Sequence, residues 1–175
     1  MLKNFWKTDS METSENTINI ENATPEQRIE MFRDCLSKRR TYWMEWVQEM
    51  NKCLKHFDKL DDLQTEVFSR RQEAVEEYHS MAFDLAKRAK IYNEKYAEVY
   101  NKIRLMKVAQ GSAAFMYNTE KAIAAQIDAQ LSQDKYIIDM VESQLQYLDN
   151  TIKTIDGIIY AIPNRIKIEE IRIGR

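Results

Sequence analysis

Seven cations gather between residues 87 and 107: Lys87, Arg88, Lys90, Lys95, Lys102, Arg104 and Lys107, against only Glu94 and Glu98. Cations at this density neutralise phosphate, and phosphate contacts dominate the affinity of proteins for nucleic acid. The block is local. Residues 60–86 hold seven acids against Arg70 and Arg71, and residues 108–119 carry no charge. The net charge of −2 says nothing by itself about polyanions; its distribution does. A second stretch, Lys38-Arg39-Arg40-Thr41-Tyr42-Trp43-Met44-Glu45-Trp46, mixes the residue types that hold phosphates and stack bases. Trp43 and Trp46 are three apart and share a helix face flanked by Arg39 and Arg40. Core packing and base stacking are the two readings of this secondary set, Arg39, Arg40 and Trp43.

Other chemistries lack their residues. His56 and His79 stand alone, and no His, Cys or carboxylate cluster has metal-ligand spacing. Gly111, Gly157 and Gly174 are too scattered to cradle a phosphate. Glu76-Glu77-Tyr78-His79 contains one Glu-x-x-His pair, but a carboxylate metal bundle needs a second copy. No nucleophile has a nearby base. The expectation is therefore a protein that binds rather than catalyses, with no catalytic residue, metal or cofactor. Cys35 and Cys53 lie about 27 Å apart along a straight helix, too far for a disulfide between them. Reduced cysteines and no continuous apolar run of about 18 residues point to a cytoplasmic chain away from membranes. The start, Met1-Leu2-Lys3-Asn4-Phe5-Trp6, lacks the apolar stretch of a signal peptide.

The elements that position these residues read as long helices. Three Gly and two Pro in 175 residues leave few turns, and none of either lies between Glu26 and Gln110. Residues 1–23, rich in Asn, Ser, Thr and Glu, read as a flexible tail, with 24–175 as one helical domain. Thr24-Pro25-Glu26-Gln27 combines an N-cap, a first-position proline and a capping box. Helix A is expected over about 25–57 and helix B over about 61–110, with Asp61 and Gln64 as a second cap. Helix B carries a heptad stripe from Tyr78 through Ala82, Leu85, Ala89, Tyr92, Tyr96, Val99 and Ile103 to Met106.

Helix C, about 119–162, repeats the pattern from Ala124 to Ile162, and Pro163 is expected to stop it. Asp134 interrupts that stripe, either setting register or marking a solvated, frayed seam. The Ile-rich end, 163–175, fits short strands through the pairs 166/168 and 171/173, and a helical turn through 168/171. The fold class is all-α: a long antiparallel coiled-coil hairpin with an additional N-terminal helix. Ile123, Tyr136, Ile137, Met140, Ile158 and Tyr160 lie off the helix C stripe. Helix A is expected to cover some of them and neighbouring subunits the rest, in a homo-oligomer of more than two subunits.

Tyr100-Asn101-Lys102-Ile103-Arg104-Leu105, two turns before Gly111, resembles the Lys-x-Arg-Leu motif of the UvsY-type phage recombination mediators. Leu131-Ser132-Gln133-Asp134-Lys135, Leu145-Gln146-Tyr147 and Asn164-Arg165 follow in that family's order, so the likeness covers about 76–175. The resemblance implies a small helical protein that forms rings and binds single-stranded DNA. It also implies a role in loading a recombinase onto strands coated with a single-strand-binding protein, in the cytoplasm of the phage's host. Lys102 and Arg104 would be the DNA-binding pair, with Lys107 and Lys95 beside them. A structural coiled-coil oligomer (scaffold, chaperone or virion component) is the competing class, with the same helices and no affinity for nucleic acid.

Overall fold

The computed structural model describes residues 23–109 and 120–174, without the side chains of 57, 61 and 106–109. The tail expected at 1–23, apart from Ala23, and the connection expected between helices B and C, 111–118, therefore lie outside the described residues. Among those described there are four helices and no strand: α1 (Pro25–Cys53), α2 (Leu60–Ala109), α3 (Glu120–Gln130) and α4 (Ser132–Ile173).

Helix α1 begins at the capping box its sequence announces. The Gln27 backbone N–H donates to Thr24 Oγ1 (3.3 Å), and the Thr24 N–H donates to Gln27 Oε1 (2.9 Å). Two donors that a helix start leaves orphaned are satisfied in this way. The helix stops at Cys53, four residues before the expected end. There the bonding tightens, with Lys55 N–H reaching Lys52 O (3.1 Å) and His56 N–H reaching Cys53 O (2.9 Å). A short 3₁₀ turn, Phe57–Lys59, then leads directly into α2.

Helix α1 runs antiparallel to α2 and parallel to α4. Trp46 bonds to Glu66, Trp43 to Glu77, and Arg88 lies over the Phe32 ring 5.3 Å from its centroid, so α1 descends as α2 climbs. Gln133 donates to Glu26, and Arg40 donates to Gln144, so α1 and α4 advance together. Helices α2 and α4 are antiparallel, pinned by Arg71–Asp156 (2.5 Å) and Lys95–Asp134 (2.7 Å). One core cluster fills the space between the three, with Trp43, Val67, Val141, Leu148 and Ile155 each wholly buried. Burying a side chain of this size contributes roughly 1.5–3 kcal/mol.

The main core cluster lies at the level of α1, and beyond it Ile127 and Leu131 are buried as well. On α2 its members are Leu60, Leu63, Val67, Ala74 and Met81. The stripe read from sequence, Tyr78 to Ile103, is only half-buried along its whole length. Met140 and Ile158, two of the apolar residues off the helix C stripe, lie in or against the core, whereas Tyr136 and Tyr160 are exposed.

Two expectations about helix C are corrected. Its first part is interrupted at Leu131, whose φ of −102° and ψ of 13° fall in the sparsely populated bridge region. Leu131 is 7% exposed, so burial of its side chain holds the departure in place. Bonds on either side survive, from Leu131 N–H to Ile127 O (2.9 Å) and from Lys135 N–H to Leu131 O (3.0 Å).

Pro163, in turn, does not end the helix. Helix α4 passes through it to Ile173 and closes on Gly174 at φ 76°, the left-handed cap that glycine tolerates. The Ile-rich end is thus helical. Burial of Ile158 and Ile162 before the proline, and packing of Ile166 after it, hold the axis across the missing bond. Glu169 accepts from Arg165 (3.3 Å) and Arg172 (3.2 Å) and ties the last turns together. Replacing the exposed Pro163 by Ala returns an N–H donor to the helix. A gain of roughly 1–3 kcal/mol is expected, or about 2–12 °C in thermal midpoint for a chain of this size. A calorimetric midpoint unchanged or lower in P163A would show that the proline is not a cost to this helix.

Candidate nucleic-acid interface

The basic block occupies the part of α2 beside the first turns of α1 and beyond them. Residues 67, 74 and 81 recur every seven positions, and all three are buried in the core shared by α1, α2 and α4. The next members of that series are Arg88, Lys95 and Lys102. Arg88 still covers Phe32 and pairs with Asp84 (2.6 Å). Lys95 lies level with the first turn of α1 and reaches across to Asp134, next to the Gln133 that bonds Glu26. Lys102 is exposed and has no partner among the described residues. The series that is core beside the middle of α1 thus turns cationic beside its first turns and stays so beyond them.

Arg104 is exposed and unpartnered among the described residues as well. At 100° per residue, Lys102 and Arg104 point about 200° apart around α2, on either side of the half-buried Ile103. Within one chain they do not converge. Lys107 lies in the last turn of α2, and its side chain is outside the described part.

Two cations that the sequence reading missed join them. The register set by Arg71–Asp156 and Lys95–Asp134 brings residue 121 of α3 level with about residues 106–108 of α2. Lys121 and Lys135 are exposed and form no ion pair among the described residues. Counting an antiparallel register outward from a single expected pair would have found Lys121.

The acids behave in the opposite way. Of the seven between 60 and 86, four turn inward onto partners. Glu66 accepts from Trp46 Nε1 (3.0 Å) and Glu77 from Trp43 Nε1 (3.0 Å) and Arg39 (2.8 Å). Glu73 accepts from Arg39 (2.8 Å) and Arg70 (2.7 Å), and Asp84 pairs with Arg88.

The secondary set is thereby corrected toward its packing reading. Trp43 is 0% exposed and edge-on to Tyr42 and Trp46, so no face is open to a base. Arg39 is spent on Glu73 and Glu77. Arg40 donates to Gln144 Oε1 (2.7 Å) and Ser143 Oγ (2.9 Å) and lies over the Tyr147 ring. These residues hold α1 to the bundle.

Burial raises the pKa of Glu73, but hydrogen bonds from Arg70 and Arg39 outweigh it and hold the carboxyl below its ordinary value of 4.5. A group depressed in the folded state stabilises it above the unfolded-state pKa, and that contribution is lost as pH falls through the folded value. Acidification below about pH 4.5 is thus expected to loosen α1, seen as a red shift of tryptophan emission. Glu73→Gln should flatten the pH dependence of stability in that window. A variant that keeps the full wild-type acid slope would remove Glu73 from the account.

Cys35 and Cys53 are free, and burial pushes the Cys35 thiol up, away from reactivity. Among the described residues no group of three or more His, Cys, Asp or Glu could hold a metal ion, and no helix is long and apolar enough to cross a membrane. Comparison with known proteins gives no match to a family model, a curated protein or a solved structure.

Proposed function

We propose that this chain is a non-enzymatic, single-stranded DNA-binding recombination mediator. In this reading it forms a coiled-coil hairpin and assembles into a homo-oligomer of more than two subunits in the cytoplasm of a phage's host. It then helps to load a recombinase onto strands coated with a single-strand-binding protein. The observation that carries the reading is a contrast between four arginines of the core level and two cations beyond it. Arg39, Arg70, Arg71 and Arg88, all at the level of the core, are in ion pairs, whereas Lys102 and Arg104 are exposed and unpaired among the described residues. Charges left to solvent at the far end of a rod suit a polyanion that contacts several subunits in turn. The likeness of Lys102-Ile103-Arg104-Leu105 to the mediator motif supports the same residues.

Because Lys102 and Arg104 diverge within one chain, the reading needs the oligomer to bring copies of each onto one surface. Sedimentation equilibrium at micromolar concentration is expected to give more than two subunits. Titration of a labelled single-stranded oligonucleotide across a salt series is expected to give affinity that falls as salt rises. An oligomer with no salt-sensitive affinity leaves the structural coiled-coil reading, which the Lys95–Asp134 pair favours, since there a basic-block lysine serves the helix pairing itself.

A further inference from the structure

Helix α2 carries tyrosines at 92, 96 and 100 and an arginine at 104, each one turn beyond the last. Side chains four apart on a helix are neighbours about 5–6 Å from one another, so these four form one shallow spiral. The tyrosines are half-buried and Arg104 is exposed. The first step is visible in the rings, with Tyr92 and Tyr96 centroids 6.3 Å apart and planes tilted by 42°. Burial, and after it the nearby Asp128 carboxylate of α3, pushes the Tyr92 phenol up. Tyr96 and Tyr100 have no hydrogen bond among the described residues. A stripe built only for packing is filled by Leu, Ile or Val. Phenols in its place present a flat face and a polar edge to whatever lies outside.

Cations stand at both ends of the spiral. Arg104 follows Tyr100 by one turn, and Lys121 lies across from the same end. Lys135 is near enough to Tyr92 to bear on its ionisation. Glu94 lies 3.9 Å from Lys90, and Glu98 and Asp128 are exposed acids at the same level.

We infer that this ladder is a stacking platform for unpaired bases, with Tyr96 and Tyr100 under the bases and Arg104, Lys121 and Lys135 holding the phosphates. The inference rests on reading this end of α2 as a nucleic-acid interface. It adds that the bases themselves are held, by stacking on faces that a duplex would hide. Stacking on aromatic side chains is sequence-tolerant, so no base preference beyond stacking strength is expected.

The test compares an oligo-dT with an abasic oligonucleotide of the same length, using the full chain at one fixed salt concentration. Wild type is expected to bind the dT strand roughly tenfold more tightly per stacked base. The Tyr96→Leu/Tyr100→Leu variant should lose that preference while keeping the salt slope. Photo-cross-linking of wild type to a strand containing 5-iodouracil should label Tyr96 or Tyr100, and this serves if the variant fails to fold. Equal wild-type affinity for the two strands, or cross-links that miss both tyrosines, would overturn the stacking platform and leave phosphate binding standing. Wild type that binds neither strand would overturn the interface itself.

Discussion

Truncating Trp43 to alanine is expected to cost about 3–5 kcal/mol, the usual range for deleting a buried tryptophan ring. Few substitutions here remove as much at once. The ring is 0% exposed, stands edge-on to Tyr42 at 5.2 Å and to Trp46 at 6.1 Å, and donates its indole N–H to Glu77. Its loss opens a cavity at the centre of the contact between α1 and α2. A domain of ordinary stability has only about 5–15 kcal/mol in total. Urea unfolding followed by circular dichroism should therefore show a large fall in midpoint. Trp43→Phe keeps most of the apolar area and loses the hydrogen bond, so its cost should be nearer 1 kcal/mol before any repacking. If Trp43→Ala costs less than about 1 kcal/mol, α1 is not fastened to the bundle as described.

The same tryptophan marks the limit of what can be read from residue order. Long helices followed from the lack of Gly and Pro, and the start of α1 from Thr24 and Gln27, because each is a local effect. The partner of a stripe is not local. Tyr78 to Met106 reads as the apolar seam of helix B, yet the buried stripe of α2 runs through Val67, Ala74 and Met81. That series turns cationic at Arg88, so on sequence alone it looks like a solvated face. In the structure it is core beside the middle of α1 and charged from Arg88 on, where α1 reaches its first turns.

The acids of 60–86 misled in the same way. They read as one pole of a charge separation, whereas Glu66, Glu73 and Glu77 are acceptors for Trp46, Arg39 and Trp43. The run of α4 through Pro163 was also hidden. A proline's local preference is to end a helix, and here tertiary packing on both sides overrides it. Of the candidate interface, Lys102 and Arg104 were legible as a charge block beside a break. Lys121 was not, because it belongs to the interface through register alone.

Replacing Lys102 and Arg104 together by alanine is expected to weaken single-stranded DNA binding by a factor that depends on salt. Each lost phosphate contact on a single strand removes about 0.7 from the slope of log affinity against log salt. If both cations of a subunit meet phosphates, the slope falls by about 1.4 per engaged subunit. Referred to 1 M salt, where such contacts contribute little, that is roughly a 25-fold loss at 0.1 M. Stability should barely respond. Both side chains are exposed and unpartnered among the described residues, Ile103 between them is untouched, and surface changes of this kind usually cost within about 0.5 kcal/mol. Lys95 provides the internal control. Its ammonium is held by Asp134 at 2.7 Å, so Lys95→Ala should disturb the pairing of α2 with α4 more than it changes the salt slope. The outcome that would sink the mediator reading is a K102A/R104A oligomer that binds single-stranded DNA with wild-type affinity and slope. An equal loss per removed charge in the two variants would mean that binding responds to the net charge of α2 and not to a defined site on it.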